Sequence, residues 1–143
     1  MNRRMRPGMP ALMLVVVTCT AVGACGRTND AGKLTELQRL MSGMFDVVLL
    51  SPRDGLRHGR NTFVIEFRST SDGKLVDVGE VHGSATMPMP GTPMFGSIDV
   101  KRTDVGGRYN ADGQFDMAGT WRMTIQWQGA GGQGSVTFAG TVR

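Results

Sequence analysis

Residues 121–128 alternate without a break. Trp121, Met123, Ile125 and Trp127 fall on one side, and Arg122, Thr124, Gln126 and Gln128 on the other. A period of two separates an apolar row from a polar row only on the two faces of a β-strand. Gly129 to Gly134 then reads as a glycine-rich hairpin loop, and Val136, Phe138 and Val142 mark the return strand.

The same period governs the chain from Phe45 onward. Phe45-Asp46-Val47-Val48-Leu49-Leu50 reads as a strand, followed by the turn chemistry of Ser51-Pro52-Arg53-Asp54-Gly55. Phe63, Ile65 and Phe67 alternate with Val64, Glu66 and Arg68, and Ser71-Asp72-Gly73 turns the chain again. Short strands are expected over 74–77 and 80–87, another around Ile98 and Val100, and another over 113–117 with Phe115 and Met117 on one face. Met117 and Met123 are therefore expected in the core. Seven to eight short strands, each with one polar face and with turn signals between them, predict an all-β antiparallel β-sandwich. Tyr109, the one tyrosine, follows Asp104 near a turn, where it either makes a tyrosine-corner-like hydrogen bond or packs as an edge aromatic. Upstream, Leu34, Leu37, Leu40, Met41 and Met44 have helical spacing. That spacing predicts a short amphipathic helix over 33–44, packed on the domain through its apolar face.

The first 24 residues stand apart. Arg3, Arg4 and Arg6 precede an uncharged apolar run from Ala11 to Ala24, too short to span a bilayer comfortably. The run ends in Val22-Gly23-Ala24-Cys25, which reads as a lipobox. Residues 1–24 are then a cleaved lipoprotein signal peptide, and Cys25 is the lipidated (palmitate-type) N-terminus. Residues 25–44 are a tether and the short helix, and 45–143 the β-domain. The expected location is extracytoplasmic and membrane-anchored, in the periplasm or at the cell surface, with the membrane as a partner through the lipid. Removing the signal leaves 13 basic residues against 12 acidic ones, so the formal charge of +4 belongs largely to the signal. Near-neutral charge and core-facing aromatics argue against a nucleic-acid partner. With Cys19 removed and Cys25 acylated, no disulfide is available.

Catalytic chemistry has little to draw on. His58 and His82 are the only histidines, no serine sits in a supporting motif, and no phosphate-binding or dinucleotide fingerprint is present. No catalytic residue is assigned, and an enzyme is not expected. His58 shares a loop with Arg53, Arg57 and Arg60, a cluster that reads either as an anion or headgroup contact or as a solvated turn.

One segment does carry residue-level chemistry: Met87-Pro88-Met89-Pro90-Gly91-Thr92-Pro93-Met94. Three prolines forbid a helix interior or a central strand, so the segment is a stiff loop. Thioether sulfur is a soft donor that suits Cu(I). Met87, Met89 and Met94 are therefore candidate metal ligands, with His82 a fourth. Strand alternation turns His82 away from Met87. The alternative is that Met87 caps the core while Met89 and Met94 cover an edge.

The ordered set of Ser51-Pro52, Gly59-Arg60-Asn61, Met87-Pro88-Met89-Pro90, Gly107-Arg108-Tyr109 and Met117-Ala118-Gly119-Thr120-Trp121 resembles the YtkA-like domains across roughly 45–142. FixH-like proteins are similar over the same core. The resemblance implies an immunoglobulin-like sandwich outside the cytoplasmic membrane. It also implies copper or heavy-metal handling beside metal-efflux or oxidase-assembly membrane proteins. Histidine often neighbours the Met-Pro loop in such domains. Here Met94 is followed by Phe95-Gly96, which favours a methionine-only Cu(I) site. The alternative is a metal-independent envelope module docking a membrane-protein partner.

Overall fold

The computed structural model describes residues 33–143; the signal segment, Cys25 and the tether up to residue 32 lie outside the described residues. Eight strands follow one another: β1 (Thr35–Ser42), β2 (Phe45–Ser51), β3 (Gly59–Ser69), β4 (Glu80–Met87), β5 (Met94–Arg102), β6 (Arg108–Phe115), β7 (Gly119–Gly129) and β8 (Gly132–Val142). Every neighbouring pair is antiparallel, in the order β1-β2-β3-β6-β5-β4-β7-β8. The sheet folds over on itself. Phe67 on β3 and Trp127 on β7 are not sheet neighbours, yet their ring centroids lie 5.1 Å apart. At the seam, Gln38 Nε2 on β1 donates to the Ala139 carbonyl on β8 at 3.1 Å. This is the all-β antiparallel sandwich that the alternation predicts.

The inward rows form the core. Val47, Leu49, Phe63, Ile65, Phe67, Tyr109, Ala111 and Phe115 from one half meet Val81, Ala85, Ile98, Trp121, Met123, Ile125, Trp127 and Phe138 from the other. Edge-on aromatic contacts run through it, Phe115 against Trp121 at 5.3 Å and Phe67 against Tyr109 at 5.6 Å. Such pairs contribute about 0.5–1.5 kcal/mol beyond the area they bury. The 129–134 stretch is a tighter turn than its composition suggests, because β7 runs to Gly129 and β8 starts at Gly132. Gly134 is in the strand for a packing reason. A Cβ there would lie 2.3 Å from Trp127 Cζ2, so glycine lets the indole lie flat on the backbone.

Four expectations need correction. Residues 33–44 hold no helix, since β1 occupies Thr35–Ser42 and begins the sandwich before Phe45. A β-bulge between Glu36 and Gln38 lets both Leu37 and Leu40 pack on the core, and this imitates the three-residue spacing of a helix. Met41 and Met44, expected in that packing, are 73% and 72% exposed. Residues 74–77 form no strand, only an isolated bridge between Leu75 and Arg68. β6 ends at Phe115, leaving Met117 in a loop and 42% exposed rather than in the core.

Two polar clusters lie against the sheet. Glu66, on the outer face of β3, is fully buried beneath Arg68 and Arg108. Its Oε2 accepts from Arg68 Nε at 2.9 Å and its Oε1 from Arg108 Nε at 2.8 Å. Tyr109 is buried and donates to the Gly79 carbonyl at 2.9 Å. The tyrosine therefore makes a backbone hydrogen bond, but to the segment leading into β4. The Gly79 amide and the charge of Arg102 hold the Asp77 carboxyl below its usual range, while burial pushes the Tyr109 phenol up. Glu66→Ala should cost about 3 kcal/mol, the low end for a broken buried pair because both arginines reach solvent. Urea unfolding monitored by tryptophan fluorescence measures it; a loss near zero would show that the arginines need no buried partner.

Candidate functional site

Antiparallel pairing gathers alternate connections at one end of the sandwich: β2–β3 (residues 52–58), β4–β5 (88–93) and β6–β7 (116–118). The start of β1 and the last residues of β8 lie at the same end.

The β4–β5 connection is the methionine–proline loop. Met87 closes β4 and Met94 opens β5, and the two are register partners across the hairpin. Opposed residues share a face with Cβ atoms about 4.5–5.5 Å apart, so Met87 and Met94 project from the same face of the hairpin. Both are half-buried and rest on the rim of the core. Met89 is half-buried in the loop between them, and the three prolines face solvent. Gly91 takes a left-handed φ of 89°, which makes the bend.

Met87 leans on Gly119, the first residue of β7. A Cβ at Gly119 would lie 2.6 Å from Met87 Cε and 3.2 Å from its Sδ. The Met117–Gly119 segment is held from inside, because the buried indole N–H of Trp121 donates to the Met117 carbonyl at 2.9 Å. The core thus fixes the surface on which Met87 rests.

His82 is not part of this group. It lies on the outer face of β4 opposite Gln126, with Nε2 3.9 Å from Glu80. The shallow depression beside it, about 440 Å³, is lined by amide and hydroxyl side chains of Gln126, Gln128, Gln133 and Ser135. The structure therefore brings Met87, Met94 and Met89 together at one rim and leaves His82 on another surface. Thioethers alone are soft, neutral donors, a set suited to Cu(I) carried as cargo.

The structure places further groups at this end. Phe95 is 71% exposed. The β5–β6 register places Ser97 opposite Gln114, and carried two residues on it sets Phe95 beside Asp116, next to Met117. On the other flank His58 Nε2 lies 3.1 Å from the Asp116 carbonyl. Two buried polar side chains shape the arginine loop. Ser51 Oγ accepts from Arg53 N at 3.1 Å, and Asn61 both accepts from Arg57 N at 2.9 Å and donates to Arg57 O at 2.6 Å. Two exposed apolar residues in an alternating or turn context carry no sequence signal, so only the structure shows both exposed at this end.

Fold and site together define a small β-sandwich domain with a methionine-bearing hairpin at one end. The chain belongs to the YtkA-like family, whose model matches residues 42–126. A comparison with curated proteins finds no match. Among solved structures, the chain is similar to the filamin domain of Lin-41, with a TM-score of 0.46 and 10% identity over 74% of this chain and 90% of that one.

Gly119→Ala would place a side chain at a φ of 144° and against Met87. The expected result is a loss of about 1 kcal/mol with the fold retained, and a displaced Met87 methyl, since a flexible thioether yields before backbone does. Methyl NMR of Met87 reads the displacement; an unmoved resonance would show that Gly119 does not support it.

Proposed function

We propose that this is an exported, lipid-anchored, non-catalytic domain that carries Cu(I) on the thioethers of Met87, Met89 and Met94 for delivery to a membrane-embedded efflux or oxidase-assembly partner. The observation that carries the proposal is the register pairing of Met87 with Met94, with half-buried Met89 in the proline-stiffened loop that joins them. Membership of the YtkA-like family supports the association with metal handling. Residues 1–24 would direct export and Cys25 would take the lipid. The exposed Phe95 favours a second reading, in which the same end docks an envelope protein without metal.

Titration of residues 26–143 with Cu(I) against a competing chelator tests the first reading. The combined Met87→Leu, Met89→Leu and Met94→Leu variant should lose about tenfold or more in affinity, while His82→Ala should lose nothing. Equal binding by the triple variant would remove the site. The second reading expects no copper affinity, and a membrane-protein contact that Met89→Asp abolishes.

A further inference from the structure

We propose that the end of the sandwich bearing the methionine loop rests on an anionic lipid bilayer, with its free arginines on headgroups and Phe95 and Met117 in the interface.

The charges are sorted by position. Arg39, Arg60, Arg68, Lys74, Lys101, Arg102 and Arg108 each have a carboxylate within 4.0 Å. Among the described residues, the cations without such a partner are Lys33, Arg53, Arg57, Arg122 and Arg143, and all belong to the loop-bearing end or the strand segments leading into it. Arg143 lies beside the arginine loop, with its amide donating to Leu56 O at 3.0 Å and its carbonyl accepting from His58 N at 2.7 Å. Asp54 and Asp116 share the surface, and Asp116 is engaged by Gln114 Nε2 at 2.8 Å. Glu36, at the start of β1, is held by Arg39 at 2.9 Å.

Apolar groups complete the pattern. Phe95, the second residue of β5, and Met117, in the β6–β7 connection, are both exposed at this end. Exposed cations sharing one end with an exposed aromatic match a bilayer surface, which offers negative headgroups above an apolar layer. The cations are also held ready, because buried Ser51 and Asn61 fix the loop that carries Arg53 and Arg57.

The chain enters the domain at this same end, at the start of β1. If Cys25 carries lipid, the eight residues to Gly32 reach at most about 28 Å when extended. The tether would then hold this end near the bilayer, where weak contacts suffice. Only this distance argument rests on the lipid-anchor reading.

Residues 26–143 contain the whole core and lack the apolar signal segment. Their sedimentation with vesicles of equal parts phosphatidylcholine and phosphatidylglycerol, against vesicles of phosphatidylcholine alone, tests the proposal over a salt series. Binding should favour the anionic vesicles and weaken as salt rises. Arg53→Glu with Arg57→Glu should reduce it about tenfold or more, and Phe95→Ser should weaken it without altering its salt dependence. Lys74→Glu, at the opposite end, should leave it unchanged. No binding at low salt, equal binding to both vesicles, or equal loss from Lys74→Glu would overturn the proposal; unchanged binding by Phe95→Ser would overturn insertion of the apolar groups. The salt dependence of the unsubstituted protein decides the matter even if a variant fails to fold. Absence of vesicle binding, as expected if the end docks a protein, would leave the copper titration unaffected.

Discussion

The contact of Trp127 with Phe67, across the interior between β7 and β3, joins the two layers of the sandwich. No cysteine lies among residues 33–143, so these layers are held by their packed interior, the β5–β6 ladder and the seam between β1 and β8. The same strand that carries Trp127 carries Trp121, and the indole N–H of Trp121 reaches outward to the Met117 carbonyl. Through that bond the packing of the core sets the β6–β7 connection, and Gly119 in turn supports Met87. The proposed site is therefore an extension of the core. Its geometry depends on aromatic packing several residues away from any ligand.

The two ends of the molecule differ in kind. Near the start of β4, Asp77, Arg102 and Tyr109 satisfy one another, and on the adjoining sheet surface Glu66 lies under two arginines. Charges spent in this way are poor recognition groups. At the loop-bearing end Arg53, Arg57, Arg122 and Arg143 face solvent without carboxylate partners, and Phe95 and Met117 are exposed at the same end. The methionine hairpin shares that end. On the proposed account, a domain held with this end on the bilayer would present its thioethers at membrane level, where a membrane-embedded copper acceptor could meet them.

The strands of the core were legible because alternation over residues 121–128 and 63–68 is a direct record of a two-faced sheet. The N-terminal segment misled for an equally physical reason. A bulge at 36–38 lets Leu37 and Leu40 both face inward, so a strand acquires helical spacing. Met117 continued the alternation of β6 on paper, but the strand ends at Phe115 and the side chain turns to solvent. The methionine–proline loop could be placed from its prolines alone. The pairing of Met87 with Met94 and the support from Gly119 depend on how β4 meets β5 and β7, which no local pattern encodes.

X-ray absorption of the Cu(I)-loaded domain tests the central claim most directly, since it reads the donor atoms themselves. A site built from Met87, Met89 and Met94 predicts a first shell of sulfur without imidazole scattering. Nitrogen from His82 or His58 in that shell, or failure of the domain to retain copper, would contradict it.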